Sequence, residues 1–513
     1  MVVEPHMDKQ TKRTVIFFCL LKLALHLIAD SHSGFQGDEL LHIETGNHLA
    51  FGYMEFPPVI GLLAFIQNLF QSSAVFVHHL FAHLATLLII FYTAKTTVAL
   101  GGKAKAVFLV LLCVVIAPAF GRSQQLFQPV VFSQLCWTLS FYQLVRYVKQ
   151  PDRRYLWYLT GTVALGFLTK YDALFFIAGL AALLCFRTMR QALIRHRFWW
   201  NILAFFLLIS PNILWQYHHD FPVFDMFARL YETQLDHLSP LEVFIGLIIS
   251  LNPMTLLVTI PAVMALLHPS MGRYRSLAAS IGLSALLLAC MQGKSYYFYP
   301  IVLTILPFGG VLWENAIRRK RKWLIYPLAG LLLLGAPLIP FGMPVFPLEN
   351  YIARGYPYEK QEIEGGEYAI RFEERYSQTK WHETLNELKA VVDSLHQNGQ
   401  SISLIWGKHY SQAGAIALFG EQYGLPPAFS LHGSFYNWLP QGTMPSVVIA
   451  IRNSKADGSD FFAPFFEEVT PVKSIYNPYA DEDEELWQTI FICKHPKQDF
   501  GQLKERFAKR VFE

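Results

Sequence analysis

Four carboxylates crowd into one short stretch of this chain. Between Gly37 and Pro58 stand Asp38, Glu39, Glu44 and Glu55, with no Lys or Arg among them. Carboxylates in such a setting can take a proton from a reacting hydroxyl, or they can cap a short helix, since acids favour helix N-termini. Other residue types offer less. His78, His79 and His83 lie at i, i+1 and i+5, poor spacing for chelation on one helical face, and read as polar residues facing a bundle interior. His218 and His219 are a short His tract of the kind that binds metal, but adjacent residues of a regular helix do not face one site. The six cysteines form neither a disulfide framework nor a paired metal spacing and read as small core residues. No metal or cofactor is expected from these patterns.

The elements that must position these groups are apolar. Of 513 residues, 53% are hydrophobic and only 16% charged, against about 25% charged in soluble domains. A membrane helix needs ~20 mostly apolar residues, and eleven candidate crossings follow, at roughly 13–30, 78–98, 106–121, 129–147, 155–169, 171–186, 199–215, 241–267, 277–292, 296–314 and 323–341. The first follows Lys12-Arg13 like a signal peptide but has no small-residue cleavage site after it, and reads as a retained anchor. With the N-terminus cytoplasmic, alternation puts the basic loops inside, from Lys103 and Lys105 to Arg318 through Lys322, as the positive-inside rule requires. The acidic loop, 30–57, is then outside, beside an interfacial helix at 57–71. The outer connections of the membrane part hold few cations: Arg122, Lys170, Arg229 and Lys294. Lys170-Tyr171-Asp172 is expected as an outer turn with no buried charge. Cations at helix ends often snorkel to headgroups; the same cations beside a carboxylate loop suit chemistry on an anionic, lipid-borne substrate.

After residue 341 charges become frequent and no further span occurs. Residues 401–406, 446–451 and 487–492 read as strands and Tyr410 to Gln422 as a helix ending before Gly424. Two domains are therefore expected: a multi-span catalytic domain over 1–341 and an extracytoplasmic α/β domain over 342–513. No glycine-rich phosphate motif opens the second, so neither nucleotide nor nucleic acid is implied. Asp481 through Glu485 read as a solvated acidic turn.

Gly37-Asp38-Glu39 and Gly52-Tyr53-Met54-Glu55-Phe56-Pro57-Pro58 resemble the first-loop signatures of GT-C membrane glycosyltransferases, most closely the dolichyl-phosphate-mannose–protein mannosyltransferase type, to which the aminoarabinose lipid A transferases are related. Leu168-Thr169-Lys170-Tyr171, Ser210-Pro211-Asn212-Ile213-Leu214-Trp215 and Gly293-Lys294-Ser295-Tyr296-Tyr297 fit that likeness. In the second domain, Tyr410 to Ala415, Tyr423 to Pro427 and His432 to Trp438 continue it. The resemblance implies a polytopic α-helical protein in a bacterial inner membrane. It would move a hexose or pentose from a polyprenyl-phosphate donor to an extracytoplasmic acceptor hydroxyl, with inversion. Asp38 is implied as the base, with Glu39 and Glu55 next, and Lys170, Lys294, Arg122 and Tyr296 as the donor-phosphate site. Members often carry a further acid near the second outer loop; here Gln128 and Ser133 stand there. A transporter or lipid flippase, or a non-catalytic scaffold of the same fold, are the rival readings.

Overall fold

The computed structural model describes residues 7–320, 322–355, 360–362, 368–370, 380–455, 461–480 and 483–509; Arg321 of the last basic run and Asp481 and Glu482 of the acidic run lie outside the described residues. Most of the chain is helical. Helix α1 (Lys9–Asp30) opens it, with the Asp8 carboxylate accepting from the Thr11 amide at 2.7 Å. Next come α2 (Gly37–Glu44), α3 (Val59–Asn68), α4 (Leu80–Ala99), α5 (Ala104–Ile116), α6 (Pro118–Gln125), α7 (Pro129–Lys149) and α8 (Arg153–Phe167). Proline at the first position of α6 and α7 costs no hydrogen bond, because that amide has no helical partner.

By length and composition three described helical stretches can cross a membrane: α4, Ser295–Ile317 and Lys322–Phe341. The number rises to six if three bent pairs each count as one span. The stretch 106–121, read above as one span, bends by 71° between α5 and α6, and 241–267 bends by 89° between Ser250 and Pro253. Broken helices leave backbone carbonyls that apolar surroundings cannot satisfy. Asn252, left-handed at φ 70°, sits in the second break and donates from its side-chain amide to the carbonyls of Ile116 (3.0 Å) and Gly335 (2.8 Å). The segment 57–71 does hold a short helix, α3, started by Pro58. The expected turn at Lys170 separates α8 from α9 (Ala173–Leu180), but Asp172 within it is buried, contrary to the reading of that turn as free of buried charge.

Beyond the apolar helices lies a five-stranded sheet made of β1 (Ile405–Gly407), β2 (Ala428–Phe429), β3 (Val447–Asn453), β4 (Phe466–Tyr476) and β5 (Trp487–Pro496). Its spatial order is β2-β1-β3-β5-β4, with β1 parallel to both neighbours and the remaining pairs antiparallel. The run 401–406 is strand only from Ile405. Helix α10 (Tyr410–Tyr423) follows β1 and ends at Gly424, φ 66°, the left-handed cap for which glycine has no side-chain penalty.

This helix is the link between sheet and bundle. It packs across α2 so tightly that a Cβ on Gly414 would lie 2.9 Å from the Leu40 Cβ and 3.0 Å from its backbone, and one on Gly37 would lie 3.1 Å from the Ser411 Cβ. Small residues at these crossing points are what let the two helices touch.

Candidate active site

Helix α2 sorts its two adjacent acids by the helical period. Asp38, Leu41 and His42, at i, i+3 and i+4, line a cavity of about 1960 Å³. Glu39, about 100° further round, points away and is fully buried. Its Oε1 accepts from His79 Nε2 (2.7 Å) and the Phe127 amide (2.8 Å), and its Oε2 from the Gln36 amide (2.9 Å). Burial alone would raise this carboxyl, but the His79 charge, these hydrogen bonds and the nearby Arg122 outweigh it and hold it below the ordinary glutamate range. The capping alternative is thus realised, by Glu39 and not by Asp38.

Asp38 accepts a 2.5 Å hydrogen bond on Oδ1 from the Tyr410 hydroxyl, so the first residue of α10 orients it. Glu55, also on the cavity wall, is gripped by the sheet domain. Ser434 donates its amide to Oε1 at 2.8 Å and its hydroxyl to Oε2, while that hydroxyl accepts from the Met54 amide at 3.0 Å. Gly433 adopts φ 57°, and a Cβ there would lie 2.0 Å from Glu55 Oε1. Glu44 lies apart, paired with His48 at 3.1 Å.

All four cations read from the sequence as outer, Arg122, Lys170, Arg229 and Lys294, line this same cavity. Lys170 stands 4.3 Å from the centroid of Tyr297, which stacks on Tyr296 at 4.5 Å, and 3.9 Å from Asp172 Oδ2. Lys294 donates to the Gln234 side chain. Tyr296 lines the cavity as well.

Sequence reasoning missed Asp172. Ser133, in the neighbourhood noted above for its lack of an acid, donates its hydroxyl to Asp172 Oδ1 at 2.8 Å. The carboxylate there comes from the turn at Lys170, and Asp172 borders the cavity. Burial lifts this carboxyl above its ordinary range, more than Lys170 and Ser133 lower it. The signal available was its spacing of two from Lys170. His409 and His432 are also on the cavity wall; His432 was named only as a motif member, and His409, one residue before the Tyr410 motif, was not named. Their rings meet at 4.4 Å, and burial brings both below the ordinary imidazole value, His409 to about 4.

The remaining motifs form the frame of the first loop. Asn212 Nδ2 donates to the Phe51 carbonyl (2.8 Å) and Gln216 Nε2 to the Tyr53 carbonyl (3.1 Å). The Tyr171 hydroxyl donates to Asn212 Oδ1 at 3.1 Å, and the Val59 amide to the Leu168 carbonyl at 3.1 Å. His219 stacks on Trp215 at 4.0 Å and donates to its carbonyl, and His218 is exposed; among the described residues this pair joins no metal-ligand cluster. Glu485 of the acidic turn is exposed at the cavity rim.

A bundle of apolar helices with a loop of carboxylates beside a small α/β domain is the arrangement that the motif resemblance implies. Comparison with known proteins agrees. Residues 56–215 match the family model of dolichyl-phosphate-mannose–protein mannosyltransferases. The fold is similar to that of ArnT from Cupriavidus metallidurans bound to undecaprenyl phosphate, at 13% identity over 93% of this chain and 97% of that one, TM-score 0.53. The apo state of the same protein gives 14% identity and a TM-score of 0.54 over the same shares. The arabinofuranosyltransferase AftD from Mycobacteria is similar at 12% identity and TM-score 0.54, over 97% of this chain and 41% of that one. No curated protein sequence gives a match. The resemblance read from the motifs is borne out, and the described residues include helices long and apolar enough to cross a membrane.

Proposed function

We propose that this chain is a glycosyltransferase that moves a sugar from a polyprenyl-phosphate carrier to a hydroxyl of an extracytoplasmic acceptor, with inversion. The observation that carries this reading is the convergence of Asp38, Glu55 and the four outer cations, drawn from distant loops, on one cavity. The undecaprenyl phosphate bound by the similar ArnT is a carrier of the required class.

In the reaction the acceptor oxygen attacks the anomeric carbon from the face opposite the phosphate. The new C–O bond forms as the bond to the phosphate oxygen breaks, and the acceptor proton passes to Asp38. Tyr410 occupies one oxygen of Asp38 and leaves the other for that proton. Lys170, Arg122 and Lys294 stabilise the charge gathering on the departing phosphate, Tyr296 and Tyr297 wall the Lys170 ammonium, and fixed cations in a partly dry site act more strongly than in water. Glu39 is assigned to holding α2 and Glu55 to joining the first loop to the sheet domain. Eleven crossings with the N-terminus cytoplasmic and residues 342–513 outside, in a bacterial inner membrane, complete the proposal.

Purified protein supplied with polyprenyl-phosphate sugars and cell-envelope acceptors tests it. Transfer is expected in the wild type, and Lys170→Gln should reduce it roughly 100- to 1,000-fold. Carrier lipid crossing the bilayer without transfer would make the chain a flippase, and neither activity would leave a scaffold.

A further inference from the structure

Behind α2, on the side away from the cavity, lies a buried cluster that the transfer reaction does not use. Asp30 ends α1, His79 immediately precedes α4, and His83 stands one turn further along the same face. Asp30 Oδ1 is 2.8 Å from His79 Nδ1, and its Oδ2 is 2.7 Å from His83 Nε2. One ligand atom from each of the three residues lies within 4.8 Å of the others, and all three residues are buried.

We propose that Asp30, His79 and His83 bind one divalent transition-metal ion, best matched by Zn²⁺, which ties α1 to α4 and, through Glu39, to the helix that carries Asp38.

The second ring nitrogens make the case. A metal-bound histidine nearly always donates its other N–H to a carboxylate or similar acceptor. His79 does so already, with Nε2 2.7 Å from Glu39 Oε1, and His83 Nδ1 faces His26 Nδ1 at 3.2 Å. His79 thus has its second nitrogen engaged on a carboxylate, as a ligand histidine would, and the second nitrogen of His83 has the His26 ring beside it. Two imidazoles with both oxygens of Asp30 supply four N/O donors, a set that suits Zn²⁺ more than Mg²⁺ or Ca²⁺. With metal bonds of about 2.0–2.2 Å, tetrahedral ligand atoms stand roughly 3.4 Å apart, so binding requires the nitrogen–oxygen pairs, now 2.7 and 2.8 Å, to open by roughly 0.6 Å. Gln125 offers an independent sign. Its Nε2 lies 3.0 Å from Asp30 Oδ1, while its buried Oε1 has no hydrogen-bond partner among the described residues. Turning the amide over would present that oxygen to the ion.

The test is the metal content of the full chain, purified in detergent without chelator or polyhistidine tag. About one Zn²⁺ per chain is expected. After stripping, Co²⁺ should rebind with the visible absorption of a low-coordinate site. Asp30→Asn and His83→Gln should abolish binding, Glu39→Gln should weaken it 10- to 100-fold, and His78→Gln, beside the cluster but outside it, should leave it intact. Wild-type protein that holds no transition metal and takes up no Co²⁺ overturns the proposal and leaves a protonated His79 as the bridge. So does metal retained by both Asp30→Asn and His83→Gln. Should those variants fail to fold, the wild-type stoichiometry and Co²⁺ spectrum decide alone, and neither depends on sugar transfer.

Discussion

Asp38 and Glu39 differ by one position and by everything that decides their chemistry. Asp38 meets the cavity and a single tyrosine hydroxyl; Glu39 is buried under three donors. Their conservative variants should separate accordingly. Asp38→Asn keeps shape and packing, so the protein should accumulate normally in the membrane while transfer falls roughly 100- to 10,000-fold; near-normal turnover would remove Asp38 from the role of base. Glu39→Gln removes one charge of a buried pair, a loss that typically costs about 3–5 kcal/mol. Its primary symptom should be a lower unfolding temperature in detergent, with turnover falling only in proportion to the folded fraction. The sequence placed both acids in the acidic loop but ranked them by resemblance alone. Which of them faces solvent depends on the rotation of α2 about its axis, and that is set by distant contacts with His79 and Phe127.

At the scale of elements, the crossing of α2 and α10 joins the membrane bundle to the sheet domain. Two glycines, one at this crossing and one far from it, contrast the forces involved. At Gly161 in α8 an added Cβ would meet nothing within 4 Å, so Gly161→Ala should be neutral or gain up to about 1 kcal/mol of helix propensity. Gly414→Ala would gain the same propensity but push a methyl onto the Leu40 backbone, and overpacking of this kind costs about 1–3 kcal/mol. Thermal unfolding of the two variants in one detergent should therefore move in opposite directions, or move for Gly414→Ala alone. The motif from Tyr410 to Ala415 was visible as a motif. Its meaning, a helix surface cut to fit α2, needed the partner surface.

For the whole molecule, the cavity lies where bundle and sheet domain face each other, and its histidines link assembly to pH. A histidine whose folded value is depressed binds fewer protons than the unfolded chain between that value and the ordinary one near 6.5. For His409, at about 4, stability is fully present above ~6.5 and is lost as pH falls toward 4. Unfolding temperature should decline across that window, and His409→Gln should flatten the decline. A slope of opposite sign would show that His409 is charged in the folded protein. At pH 7 and above His409 is neutral, so the basic limb of the transfer profile should survive the same substitution.

The linear order of residues was enough to read an apolar helical bundle, a more polar α/β region toward the C-terminus, a loop of carboxylates and a handful of isolated cations. These are properties of composition, period and charge sign, which follow from local sequence. Span boundaries at Ala117 and Asn252 escaped it because apolar composition runs unbroken through both bends, and only the neighbouring helices show how the freed carbonyls are satisfied. Tertiary structure alone decided that Asp172 meets Ser133, that Glu39 faces inward and that Asp30 meets His79 and His83. Each is a contact between residues more than thirty positions apart, formed by helix packing, and pairing at that range has no period to read.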